Sequence, residues 1–158
     1  MYDRTSRECS VNGLDPALRS ALAGHMELEA LGTLRGEEVC CQTLSVRRGR
    51  PGLLSRVLKS ADPDREHRTT AVLTEHHLIV ARSGEGGATT VLSAPLRGMG
   101  FDDISQTLSA HGEAGVSLRA RWSGRPVAGS YFVALGDDQA GRAFRDALTK
   151  AVAKAKQR

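Results

Sequence analysis

The chain has 158 residues, 40% of them hydrophobic, 25% charged and only 4% aromatic, with a net charge of +4. That length suits one domain with a core of Leu, Val, Ile and Ala, held without disulfides or metal. No apolar run approaches the ~18 residues a membrane span requires. The opening MYDRTSRECS also lacks the apolar centre of a secretory signal, so a cytoplasmic protein, at most peripheral to a membrane, is expected.

Residues 1–13 are polar and mixed in charge and read as a disordered tail. Residues 14–35 read as an N-terminal helix. Asp15 suits its cap and Pro16 its first turn, while Leu14, Leu18, Leu22, His25 and Leu28 recur at helical spacing. Gly24 and Gly32 weaken the interior, which leaves an early break open as the alternative to a stop at Gly36. At Glu37 the period changes, and EEVCCQTLSV (37–46) reads as a strand. Its neighbours Cys40 and Cys41 would point to opposite faces. With Cys9 they make an odd set without framework spacing, which reads as free, buried thiols.

A long segment follows. Pro51 and Gly52 open a short helical piece with Leu53, Leu54, Val57 and Leu58 on one side, and ADPD (61–64) ends it. RTTAVLT (68–74) and HLIVARS (77–83) read as strands around a corner that carries His76 and His77. After the turn GEGGA (84–88) come TTVLSAPLRGM (89–99), where Pro95 marks an edge or a bulge, and the weaker strand DISQTLSAH (103–111). GVSLRARW (115–122) alternates, with Val116, Leu118, Ala120 and Trp122 on one face. SYFVALG (130–136) is apolar on both faces. The chain closes with a helix over 137–156, which Asp137 or Asp138 can cap. Ala140, Phe144, Leu148 and Val152 form its stripe, and Lys150, Lys154, Lys156 and Arg158 crowd its end.

One leading helix, seven strands and a closing helix predict a mostly β fold: an antiparallel sandwich or barrel whose open end Phe144 and Leu148 plug. Charge is uneven along this frame. Residues 47–68 hold 7 basic against 3 acidic groups, and residues 150–158 hold 4 basic and no acidic ones. The net charge therefore comes from one loop and one tail.

This order of elements resembles the pleckstrin-homology (PH) superfold, and more narrowly the bacterial PH-like and GRAM-like domains. The motifs that carry the resemblance are Val72-Leu73-Thr74-Glu75-His76-His77-Leu78-Ile79-Val80 and, before the first barrel strand, Gly36-Glu37-Glu38-Val39. The resemblance covers about residues 36–156 and places a PH-like domain over 36–158. It implies a seven-stranded antiparallel barrel capped by the C-terminal helix, with the 47–68 loop at its mouth. Related domains bind lipid head groups, peptides or proteins. It further implies that Arg47, Arg48, Arg50, Arg56, Lys59, Arg65 and Arg68 stand where such domains clasp phosphates. Leu53, Leu54, Val57 and Leu58 would either dip into a bilayer interface or pack over the barrel mouth. The family's spaced basic pair is interrupted here by Glu66, and Asp62 and Asp64 would repel phosphate.

The two histidines at the corner read as hairpin residues. Adjacent side chains diverge, a zinc site needs three or four ligands, and His25, His67 and His111 lie in unrelated segments. No nucleotide-binding, zinc-protease or nucleophile-elbow motif occurs in the sequence. Scarce aromatics argue against nucleic acid. The expectation is a non-catalytic module with no cofactor that binds another protein. Anionic membrane is the alternative partner, and an edge strand or the leading helix offers a route to a homo-oligomer.

Overall fold

The computed structural model describes residues 2–48, 65–102 and 114–158, and within them the chain is mostly β with two α-helices. In chain order come β1 (Tyr2–Cys9), a 3-10 turn (Val11–Gly13), α1 (Pro16–Leu28), β2 (Val39–Arg47), β3 (Glu66–Leu73) and β4 (His77–Gly84). There follow β5 (Thr89–Pro95), β6 (Gly100–Phe101), β7 (Gly115–Ala120), β8 (Gly129–Ala134) and α2 (Gln139–Lys156). Strands β1 to β5 form one antiparallel sheet in sequence order, and β6 to β8 form a second.

The larger sheet is covered on both faces. Cys40 and Cys41 show how, because adjacent strand residues face opposite ways. Cys41 joins Ala71, Leu73, Leu78 and Val80 in a core against Val116, Leu118 and Val133 of the smaller sheet and Phe144, Leu148 and Val152 of α2. Cys40 joins Val72, Ile79 and Ala81 on the other face, under Leu18, Leu22 and Met26 of α1. The central strands β3 and β4 are therefore apolar on both faces. Trp122 is buried as expected, and its indole N–H donates to the Gly129 carbonyl at 3.2 Å.

Three expectations are corrected. Residues 2–13 are not a tail: β1 pairs with β2 from Tyr2↔Arg47 to Cys9↔Cys40. Its polar composition fits an edge position, where charged side chains discourage further pairing. Arg4 of β1 reaches across the seam between the sheets, stacking 5.1 Å from the Phe132 ring and donating to the Ala114 carbonyl at 2.9 Å. The two sheets of five and three strands also do not close into a barrel. Strand β1 occupies the outer edge of β2, so β2 finds both neighbours within its own sheet.

The leading helix stops at Leu28 rather than near residue 35. Ala30 adopts φ +55°, Leu31 N–H donates to Met26 O at 2.9 Å and Ala30 N–H to Glu27 O at 3.2 Å, which together close the helix in a left-handed cap. The expected strand at 103–111 lies outside the described residues.

The start of α2 is built around one carboxylate. Asp138 Oδ1 accepts from Gly141 N–H at 2.9 Å and caps the helix, while Oδ2 accepts from Ser6 N–H of β1 at 2.7 Å. The Ser6 hydroxyl in turn accepts from Gly136 N–H at 2.7 Å and lies 2.6 Å from Thr43 Oγ1. The approach is close enough to require glycine at two places. A Cβ on Gly141 would stand 2.0 Å from the Gly136 carbonyl oxygen, and one on Gly136 would stand 2.6 Å from Asp138 Oδ2. Phe144 and Leu148 are buried one and two turns further along, as expected of the closing helix.

Candidate functional site

Of the residues expected to meet phosphates or a bilayer, Arg50, Arg56, Lys59, Leu53, Leu54, Val57 and Leu58 lie outside the described residues. Arg47, Arg48, Arg65 and Arg68 are described, and all four are exposed. The open end of the β2–β3 pair brings three of them together: Arg47 N–H donates to Arg65 O at 2.9 Å, and Arg48 is next in sequence. Arg48 forms an ion pair with Asp3 of β1. Arg68 is set apart. Strand alternation turns it to the α1 side of the sheet, where it lines a shallow depression of about 250 Å³ with Thr5, Arg7, Gln42 and Leu44. Only part of the described cationic set thus shares one surface.

The histidine corner is a two-residue hairpin loop. Thr74 N–H donates to His77 O at 2.9 Å, and Thr74 Oγ1 accepts from His77 N–H at 3.0 Å. Neither Glu75 nor His76 has positive φ, so this is not the Asn-Gly type of turn usual at such loops. The threonine hydroxyl stabilises it instead. The ring of His76 points outward, its Nδ1 3.1 Å from Arg158 Nη1 at the end of α2, and Arg158 also donates to Glu75 at 3.3 Å. Burial lowers the pKa of His77, and the neighbouring His76 lowers it further.

This corner forms one wall of a groove of about 790 Å³. The segment after α1 forms the second wall and the last turns of α2 the third. Met26, Leu31, Val39, Leu73, Ala151 and Ala155 supply apolar surface. Val39 is 45% exposed, a large aliphatic turned to solvent. The charged residues of the rim are Arg35, Glu37, Glu38, Glu75, Lys154 and Arg158, together with His76 and His77. Glu38 is a structural part of this wall. Its two oxygens accept from Arg35 N–H at 2.5 Å and Gly36 N–H at 2.8 Å. Burial pushes its carboxyl up, but the backbone N–H groups outweigh that and hold it below the usual carboxylate range.

The groove has no signature in the sequence. There Lys154 and Arg158 read as a helix end, and Val39 as one residue of the strand over 37–46. Nothing in the local pattern shows that residues 31–39, 74–77 and 151–158 meet.

One serine–histidine contact has the spacing of a nucleophile and its base: His25 Nε2 stands 2.8 Å from Ser93 Oγ. Ser93 is buried beneath α1, however, and its backbone is tied to Ser123 by N–H and carbonyl bonds of 3.0 and 2.8 Å. The contact clasps α1 to the edge strand β5. Among the described residues no three His, Cys, Asp or Glu side chains converge to hold a metal ion. No helix among them is long and apolar enough to cross a membrane. Compared with known proteins, the chain matches no family model, no curated protein and no solved structure.

Proposed function

We propose that the chain is a non-catalytic binding module of PH-like build that holds a segment of another protein in the groove beside the hairpin corner. The PH-like reading is supported by the order of elements: a meander from β2 to β5, a second sheet from β6 to β8, and a helix directly after the last strand. Strand β1 and helix α1 are additions to that plan.

The reading of the partner as protein rests on the charge balance of the rim. Arg35, Lys154 and Arg158 stand against Glu37, Glu38 and Glu75 around an apolar floor. A phosphate-bearing membrane favours a strong excess of cations. A rim of both signs over aliphatic surface instead complements a polypeptide that offers apolar anchors flanked by mixed charge.

The test has two arms. In the first, the full chain and its Val39→Glu and Ala151→Glu variants, each checked for unchanged melting, are used to capture proteins from an extract of the source cells. A partner held by the unmodified chain and lost with both variants supports the reading, whereas equal capture by all three overturns it. In the second arm, the chain is sedimented with phosphatidylserine vesicles. Pelleting that weakens with salt and disappears in the Arg47→Glu/Arg48→Glu/Arg50→Glu variant would move the function to anionic lipid and the 47–68 loop.

A further inference from the structure

Cys9 and Cys40 are direct cross-strand partners in the β1–β2 pair. Two bonds fix the type of pair. Ser6 N–H points away from β2 to Asp138, and Arg47 N–H points away from β1 to Arg65. By alternation, the backbone groups of Cys9 and Cys40 point at each other, which makes this a hydrogen-bonded pair with Cα atoms about 5.5 Å apart. That separation lies within the range a disulfide spans. Both side chains lie on the α1 side of the sheet, Cys40 buried in that core and Cys9 half-buried at its margin. Cys41, one residue on, faces the opposite core.

We infer that Cys9 and Cys40 form a redox-operated staple, in which a hydroperoxide converts the two thiols to a disulfide that locks β1 onto β2. The roles are divided by position. The Cys40 S–H hydrogen bond lowers the pKa of Cys9, against the opposing effect of burial, and Arg7 lowers it further. Cys40 is held in the protonated form by the same bond and by deeper burial. The half-exposed Cys9 is therefore the attacking sulfur. Its thiolate attacks one oxygen of the hydroperoxide, the O–O bond breaks, and the other oxygen leaves as an alcohol, or as water from hydrogen peroxide, after taking a proton. Cys9 is now a sulfenic acid. The Cys40 sulfur attacks the Cys9 sulfur, the S–S bond forms, and the S–O bond breaks. The departing hydroxide takes the Cys40 proton and leaves as water. Two thiols supply the two electrons that reduce one peroxide.

The bond would close a covalent ring from residue 9 to residue 40 that contains the 3-10 turn, all of α1 and the segment after it. A ring of about 30 residues raises the melting midpoint of a chain this size by about 10 °C.

The test treats the reduced full chain with hydrogen peroxide at a small molar excess and follows intact mass, disulfide-linked peptides and melting. The expected result is a loss of two hydrogens, a fragment joining Cys9 to Cys40, and a higher melting midpoint, all reversed by dithiothreitol. The Cys41→Ala variant should keep this behaviour, and Cys9→Ser, a change at a half-exposed edge position, should abolish it. Oxidation of Cys9 to sulfinic acid with Cys40 left as a thiol would overturn the inference. So would a dimer joined through Cys9, or a loss of two hydrogens that persists in Cys9→Ser. A Cys9–Cys40 bond that leaves melting unchanged would overturn the claim that it locks the strand.

Discussion

Replacing Asp138 by Ala tests the junction on which both sheets and α2 depend. The substitution removes two hydrogen bonds of different kinds. The bond to Gly141 N–H, at 2.9 Å, is a helix cap, and its loss costs about 1 kcal/mol. The bond to Ser6 N–H, at 2.7 Å, satisfies a donor of a residue only 8% exposed. Stranding such a donor costs about 1–3 kcal/mol. The sum, about 2–4 kcal/mol, should lower the melting midpoint by roughly 10 °C in a chain of this length. Asp138→Ser separates the two contributions. A serine can still cap the helix but cannot span the gap to Ser6, so it should recover about 1 kcal/mol and no more. Denaturant titration measures the totals. Amide exchange locates the loss: Ser6 N–H should exchange faster in both variants, while Thr5 and Arg7, whose N–H groups face β2, keep their protection. Equal stability of the Ala and Ser variants would refute this reasoning, as would an unchanged Ser6 amide.

Three further predictions each rest on a single position. A Cβ added at Gly24, inside α1, would meet nothing within 4 Å, so Gly24→Ala should stabilise the chain by about 0.5–1 kcal/mol. Gly141→Ala, also helical, should destabilise it instead, because the new Cβ meets the Gly136 carbonyl; paired melting curves give the two signs. The lowered pKa of His77 means that the folded state binds this proton less readily than the unfolded state. Stability should therefore fall as the pH drops below the ordinary histidine value of about 6.5 toward the depressed folded value, and level off beneath it. In His77→Gln the slope over that window should diminish, which urea midpoints from pH 7.5 to 5 can follow.

Where a sequence carries a strong local signal, structure and expectation agree. The stripe Phe144, Leu148, Val152 places α2, and the alternation from Val116 to Trp122 places β7 and its buried face. The opposite orientations of Cys40 and Cys41 follow from strand geometry alone. The glycines of α1 signalled an early break, but its position was not legible, because the left-handed cap uses Ala30, a residue that carries no stop signal, while Gly32 and Gly36 lie further on. Strand β1 was hidden for a different reason. Its sequence has no apolar alternation, and what holds it is a neighbour 41 residues away at Arg4–Ser45 and a carboxylate 132 residues away at Asp138. The groove was equally hidden, since it exists only where three separate segments converge.

The bond between Ser6 and Asp138 also sets a schedule for assembly. When strand β1 leaves the ribosome its hydrogen-bonding partner β2 has yet to follow, and the acceptor for its outer edge, the Asp138 carboxylate, comes 132 residues after Ser6. Contacts spaced so widely slow the search for the native arrangement. Until residue 138 emerges, the outer rim of that first strand remains open to a second nascent chain, which makes synthesis itself the interval of greatest exposure to misassembly.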